Sequence, residues 1–315
     1  MRMAAVDSFE LLYKEIARSC SSCVETLAVV GALYTASKAI ILLRDCYSFV
    51  RVHLFPRLMP VKRLSHRFGE WAVIYGASEV IGKAYAEELA RQGICIILVS
   101  QESVCDTAMA ISEIHRVDAM GVVADFGQGH AAVKSVKEAL RDKDIGILVN
   151  CVAESLWHSP NFTGLSEERL WEEINRNIAA TTLMMHLVLP GMIERRRGAV
   201  VNISSGACCR PSSTKAALTA FTAYLDNFSR SLHHEYGCHG IFVQSLLPFH
   251  VAAHGASASG WLIPQSDVYA RHAISTLGIS HRTTGYWPHT LQFRLLQSMP
   301  EWVWILGSRM LTSSC

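Results

Sequence analysis

The chain carries little net charge of either sign. Its 29 Lys and Arg against 27 Asp and Glu leave +2 over 315 residues, which excludes the basic face of a nucleic-acid binder. Paired cysteine motifs are missing as well. The ten cysteines are scattered, and the single CxxC, Cys20 to Cys23, has no second pair at zinc-module spacing, so no metal site is expected. Without a disulfide frame the cysteines point to a reducing compartment. No short apolar core ends in a small-residue cleavage site, which argues against secretion, and Asp7, Glu10 and Glu15 are out of place in an acid-poor transit peptide. Apolar residues are abundant. They make up 50% of the chain, enough for one core-forming domain of roughly 240 residues and an N-terminal extension.

The extension occupies residues 1–70. Leu11, Leu12 and Ile16 are spaced for one side of a helix over residues 1–23. From Thr26 to Leu43 runs the most apolar stretch of the chain, eighteen residues interrupted by Lys38. Its length just suffices to cross a bilayer, and a mid-run lysine is costly there, so spanning, lying on a membrane and packing as a helix all stay open. Arg44, Arg51, Arg57, Lys62, Arg63 and Arg67 follow, against Asp45 alone; this flank suits either an anionic membrane surface or a solvated linker.

The domain from residue 71 to 315 is organised around Val200 to Ser229. A β-branched strand turns at Ser204-Ser205-Gly206, and after Pro211 the chain enters an Ala-rich amphipathic helix. Upstream, Trp71 to Tyr75 reads as a buried strand. The turn Gly76-Ala77-Ser78-Glu79-Val80-Ile81-Gly82 leads from it into a helix over Lys83 to Gln92. Further strands are expected at Ile94 to Ser100, Gly121 to Asp125, Gly146 to Asn150 and Phe242 to Leu247. Alternating strands and helices predict an α/β fold, a doubly wound Rossmann-type parallel sheet.

From Trp71 to His289 this arrangement resembles the short-chain dehydrogenase/reductase superfamily, in the group of 17β-hydroxysteroid dehydrogenases and very-long-chain 3-oxoacyl-CoA reductases. The segment Tyr269 to His289, YARHAISTLGISHRTTGYWPH, is similar to that subgroup in particular. The resemblance implies a catalytic Ser, a Tyr thirteen positions on and a Lys four further. Counting from Ser205 places Leu218 and Thr222 there. The family's phenol delivers a proton to the ketone oxygen while the lysine lowers its pKa and holds the nicotinamide ribose. Leucine has no proton to give, and loss of general acid catalysis alone typically costs roughly 10² to 10⁴ in rate. Tyr224 lies about 240° round the helix from Leu218 at ~100° per residue, so it points away from Ser205. Lys215 could approach that face but has no phenol to activate. A true Tyr-x-x-x-Lys, Tyr34 to Lys38, precedes the glycine turn, contrary to the family's order, and reads as a decoy.

Other departures follow the same direction. The resemblance assigns NADP(H) to residues 76–82, with Asp125 at the adenine and position 222 at the ribose. Yet the family's TGxxxGxG has Tyr75 for its threonine and Val80 for its middle glycine, which adds bulk and, if the position needs positive φ, strain. Gln101 stands where NADP users often carry arginine, and Glu102 would repel a 2′-phosphate. The NNAG motif keeps only Asn150 before Cys151-Val152-Ala153. In the PGxVxT motif Phe249 replaces the glycine that lets backbone approach nicotinamide, and Ala253 the threonine. Asn177 matches the family's fourth catalytic residue. Of the four, Asn177 and Ser205 survive, each with an ordinary structural explanation as a helix hydrogen-bonder and a strand-end turn residue. Adjacent Cys208 and Cys209 are either redox-sensitive or merely small loop residues.

Three functions are consistent with these residues. The leading one is a pseudoenzyme that binds a protein partner or forms a homo-oligomer, held by its N-terminal segment in contact with a membrane. The second is an NADP(H) or lipid sensor without turnover, and the third a weak steroid or 3-oxoacyl-CoA oxidoreductase with another proton donor. The resemblance together with the uncleaved extension implies a mitochondrial location, with the endoplasmic reticulum membrane as the alternative. The closing Trp302 to Leu306 could seal the substrate lobe or touch lipid.

Overall fold

The computed structural model describes residues 2–58, 64–126, 130–151, 162–211, 215–256 and 260–305. Val152, Ala153, Lys62, Arg63 and Leu306, on which some of the expectations above fall, lie outside the described residues. The chain divides into two compact units, Met1–Leu54 and Phe55–Cys315.

In the first unit a single helix, α1 (Arg2–Phe49), continues into a π-turn at Val50–Leu54. Two segments were expected there. Nothing between them breaks a helix: no proline lies before Pro56, and Gly31 alone costs only ~1 kcal/mol. The 48 residues of α1 extend about 72 Å at ~1.5 Å per residue. Its apolar side chains point outward all round, Leu27, Val30, Leu33, Ile40, Leu42 and Leu43 all being exposed. Tyr34 and Lys38 sit one turn apart, the ammonium 5.4 Å from the ring centroid.

The second unit is built on β1 (Trp71–Tyr75), β2 (Cys95–Ser100), β3 (Ala119–Val123), β4 (Ile145–Cys151), β5 (Gly198–Ile203), β6 (Ile241–Leu246) and β7 (Arg282–Thr283). All pairings are parallel, in the order β3-β2-β1-β4-β5-β6-β7. The strand order reverses between β1 and β4, so a crevice opens at their carboxyl ends. Helices α4 (Val80–Arg91), α5 (Cys105–His115) and α10 (Ser266–Ser275) share one core with the sheet, and α6 (His130–Leu140), α8 (Ala180–Glu194) and α9 (Ala216–Tyr236) share another. The two-residue period of a strand divides β1 between them: Ala72 and Ile74 join the first, Val73 and Tyr75 the second. Helices on both faces explain why the strands read as continuous apolar runs. Two short helices, α2 (Phe55–Leu58) and α3 (Leu64–Phe68), precede β1, and Leu64 and Phe68 of α3 are buried in the first core. The folded unit thus begins before Trp71.

β3 starts and ends two residues earlier than expected, because its ladder is set by β2. Ser100, the last residue of β2, pairs with Val123, leaving Asp125 beyond the strand on the crevice rim.

Candidate functional site

The glycine turn joins β1 to α4. Gly76 adopts φ +79°, and a Cβ there would meet the Cys151 carbonyl at 2.8 Å. A Cβ on Gly82 would lie 2.2 Å from the Gly76 carbonyl oxygen. Both glycines are therefore required by the packing of β1, α4 and β4, whatever the crevice holds. Val80 opens α4 after Glu79, whose φ of −74° and ψ of 149° are extended. The described residues with positive φ other than glycine are Arg116, Asp142 and Arg196. Val80 therefore takes ordinary helical backbone, and the strain anticipated at this position does not arise; its bulk remains.

Around this turn Tyr75, Gly76, Ser78, Ser100, Gln101 and Arg176 line a pocket enclosing about 10 Å³, room for about one water. Several of its polar groups are engaged with one another, while Arg176 also lines it. Gln101 donates from Nε2 to Asp125 Oδ1 at 3.2 Å, and Ser100 and Ser78 hydroxyls meet at 3.1 Å. The Tyr75 hydroxyl donates to the Arg176 carbonyl at 2.9 Å, and burial pushes its pKa up. Tyr75 is thereby tied to Arg176, a link invisible in sequence because 101 positions separate the partners.

Asn177 lies in a π-turn, Asn175–Ala179, between α7 (Glu167–Ile174) and α8. Such bulges re-aim side chains and recur at functional sites. Here the Asn177 amide donates to the Glu173 carbonyl and to Glu173 Oε2, both at 2.9 Å. Glu173, 1% exposed, is held in turn by Arg169 at 2.8 Å. Sequence reading missed this carboxylate; its i,i+4 spacing to Asn177 was the available signal.

Ser205 ends the loop after β5 and is 1% exposed. Leu218 and Thr222, on the first turns of α9, are 1% and 0% exposed. Leu218 is part of the second core, where its burial stabilises the fold by roughly 1.5–3 kcal/mol. The Thr222 hydroxyl donates to the Leu218 carbonyl at 2.6 Å, and Ser204, not Ser205, donates to the Thr222 carbonyl at 2.7 Å. The hydroxyl at position 222 is used within its own helix. Tyr224 is no substitute, for its hydroxyl pairs with Thr182 at 2.7 Å.

Phe249 lies against the turn that follows Ser205. A Cβ added to Gly206 would meet the Phe249 ring at 2.7 Å, so the ring lies directly on the residue after Ser205. Behind it His289, fully buried, accepts from the Phe249 N–H on Nδ1 at 3.4 Å and donates from Nε2 to the Leu262 carbonyl at 3.2 Å. That pattern is that of a neutral imidazole, in keeping with a pKa lowered by burial to about 4. Sequence reading gave Phe249 a role but none to His289, which sits 40 positions away and entered only as the end of the resembling segment.

A doubly wound parallel sheet with a glycine turn at its switch point and a serine rim on β5 defines a Rossmann-type oxidoreductase fold. Residues 70–259 match the short chain dehydrogenase family, and the chain belongs to that family. It is 61% identical to "Inactive hydroxysteroid dehydrogenase-like protein 1" of Danio rerio, over 98% of this chain and 99% of the relative. It is 36% identical to the human very-long-chain 3-oxoacyl-CoA reductase, over 75% of this chain and 78% of the reductase. Among solved structures it is similar to a short-chain dehydrogenase from Sphingobium yanoikuyae in complex with NADPH, with a TM-score of 0.57 and 28% identity over 64% of this chain and 82% of that one. Within the family this chain is an inactive homologue, as are the relatives of the same name from Mus musculus and Homo sapiens, each 52% identical to it over 99% of this chain and 97% of the relative.

Proposed function

We propose that the chain is a non-catalytic binding or regulatory protein that keeps the dehydrogenase fold as a scaffold and engages a protein partner. The observation that carries this reading is the closure of the site: Leu218 and Thr222 are buried in packed, satisfied positions, and the Phe249 ring covers Gly206. NADP(H) fits this crevice only in part. The glycine turn at the start of α4 has the form that receives a pyrophosphate, but Gln101 is engaged with Asp125, Thr222 supplies no cation, and Phe249 occupies the nicotinamide side. No hydride step is derived through it.

The retained glycine turn favours a second reading, an NADP(H)-responsive or lipid-responsive protein without turnover. The two readings separate on one measurement, NADPH titrated into the full chain with nicotinamide fluorescence and thermal shift as readouts. Absence of both signals supports the scaffold, and saturable binding supports the sensor. Steady NADPH consumption with a 17-keto steroid or a 3-oxoacyl-CoA, lost in Ser205→Ala, would overturn both.

The same proposal places the protein at a membrane, in mitochondria, through residues 1–70. A helix apolar on all sides belongs in a core or in lipid, and the window within Tyr13–Leu54 has a mean hydropathy of 1.8 with no buried residues. The hydroxyls of Thr35 and Ser37 donate to the Gly31 and Tyr34 carbonyls at 2.9 and 2.8 Å, leaving Lys38 as the costly group in that stretch.

A further inference from the structure

Cys208 and Cys209 close the 3₁₀ turn Gly206–Cys209 that follows Ser205. Both are partly exposed, and their Sγ atoms lie 3.6 Å apart. Arg282 on β7 brings Nη2 to 3.9 Å from Cys209 Sγ. The guanidinium is held there by Asp226, which accepts from Nε at 3.1 Å and from Nη2 at 2.9 Å, and by the Phe293 ring at 5.3 Å. Ser245 donates to the same carboxylate at 2.6 Å. A fixed positive charge thus faces one sulfur of an adjacent pair.

We propose that Cys208–Cys209 is a reversible two-thiol oxidation site, in which a peroxide-class oxidant attacks at Cys209 and Cys208 resolves the product. The electrostatics separate the two thiols in the same direction: the hydrogen bond from Cys208 and the charge of Arg282 lower the Cys209 pKa against its burial, while that hydrogen bond and burial raise Cys208. The thiolate is the nucleophile, so the sulfur beside the guanidinium reacts first. In the first step Cys209 sulfur displaces one peroxide oxygen as water and becomes sulfenic acid; sulfur is oxidised and the O–O bond is reduced. In the second the Cys208 thiol attacks that sulfur, an S–S bond forms, and the sulfenic oxygen leaves as a second water carrying the thiol proton. Consecutive Cα atoms across a trans peptide are ~3.8 Å apart, below the roughly 4.4–6.8 Å usual for disulfides. The ring is therefore strained and easily reopened by a dithiol reductant. Arg210, the next residue, donates to the Gln297 and Met299 carbonyls at 2.9 and 2.5 Å, so the turn is linked to the end of α11 (Trp287–Ser298).

The test treats the full chain with stoichiometric hydrogen peroxide in the presence of dimedone and maps the products by mass spectrometry. In the unaltered protein the peptide holding both cysteines should lose two hydrogens, carry no dimedone and be restored by dithiothreitol. Cys208→Ser, whose hydroxyl can keep the hydrogen bond to Cys209, should trap dimedone at Cys209 several-fold faster than at exposed Cys105 or Cys238 of the same molecule. Cys209→Ser should lose this rapid labelling, and Arg282→Gln should slow it while leaving Cys105 unchanged. Should Arg282→Gln not fold, the two serine variants decide. Labelling of Cys209 no faster than of Cys105, or an unaltered protein that stops at a dimedone-trapped sulfenic acid, overturns the proposal.

Discussion

At the scale of single residues, positions 218 and 222 belong to the packed interior. Leu218 contributes burial and has no proton to give, and Thr222 ends its hydrogen bonding on its own helix. Restoring chemistry therefore means reopening the core as well as replacing two side chains. Leu218→Tyr with Thr222→Lys is expected to yield at most weak NADPH consumption with a 3-oxoacyl-CoA, because Phe249 still covers Gly206, and overpacking at Leu218 costs roughly 1–3 kcal/mol. Adding Phe249→Gly should raise the rate further, while Val80→Gly, at a helical position without strain, should add less. Full activity from the first pair alone would show that the nicotinamide side is open. His289 behind Phe249 offers an independent check. Its pKa is about 4 folded against an ordinary 6.5, so the unfolded chain takes up the proton first as pH falls. Its contribution is present in full above pH ~6.5 and is lost progressively toward pH ~4, up to roughly 3 kcal/mol from the shift. Urea unfolding across that range should give a shallower pH dependence in His289→Gln; parallel curves would place the acid sensitivity elsewhere.

At the scale of elements, the glycine turn shows how a family signature outlives the chemistry it served. Gly82→Ala would bring a methyl to 2.2 Å from the Gly76 carbonyl oxygen, a backbone atom that cannot swing aside as a side chain can. We expect it to lower the midpoint of thermal unfolding, by a cost of roughly 1–3 kcal/mol, with no dependence on added NADPH; an unchanged midpoint would show that α4 can shift away from β1. The strands were legible in the sequence because two-sided burial makes continuous apolar runs, and β1 runs from Trp71 to Tyr75 as read. Their ends were less legible where a neighbour sets them: β3 stops at Val123 because β2 stops at Ser100. The expectation for positions 218 and 222 came from counting along one helix. The surrounding contacts did not, since Phe249 on Gly206, His289 behind Phe249 and Tyr75 on Arg176 are contacts made across the fold. The π-turn at Asn177 was hidden for a related reason, as a single inserted residue leaves the helical pattern on either side intact.

At the scale of the whole molecule, the two units call for different explanations. The sheet unit packs helices on both faces of its sheet and pairs several of its crevice polar groups, Gln101 with Asp125 and Ser100 with Ser78 among them. The first unit does not: α1 exposes Leu27, Val30, Leu33, Leu42 and Leu43 together, and an apolar helix of this kind is stable in water only if something covers it. We propose that lipid meets that need. The stretch Thr26 to Leu43 is 18 residues long, about 27 Å at ~1.5 Å per residue, close to the hydrocarbon thickness of a bilayer. Lys38 lies five residues from its carboxyl end, where its stem can carry the ammonium toward the basic flank beginning at Arg44. A surface rich in anionic lipid would reinforce that flank. Residues 1–70 fused to a fluorescent reporter should therefore reach mitochondrial membranes and resist carbonate extraction, and deletion of residues 1–54, which keeps the core residues Leu64 and Phe68, should leave the remaining chain diffuse. Delivery of the reporter to the endoplasmic reticulum would keep the membrane role and change the organelle. A diffuse reporter, with the truncated chain still reaching the organelle, would mean that the address lies in the folded unit and that α1 is covered by protein instead.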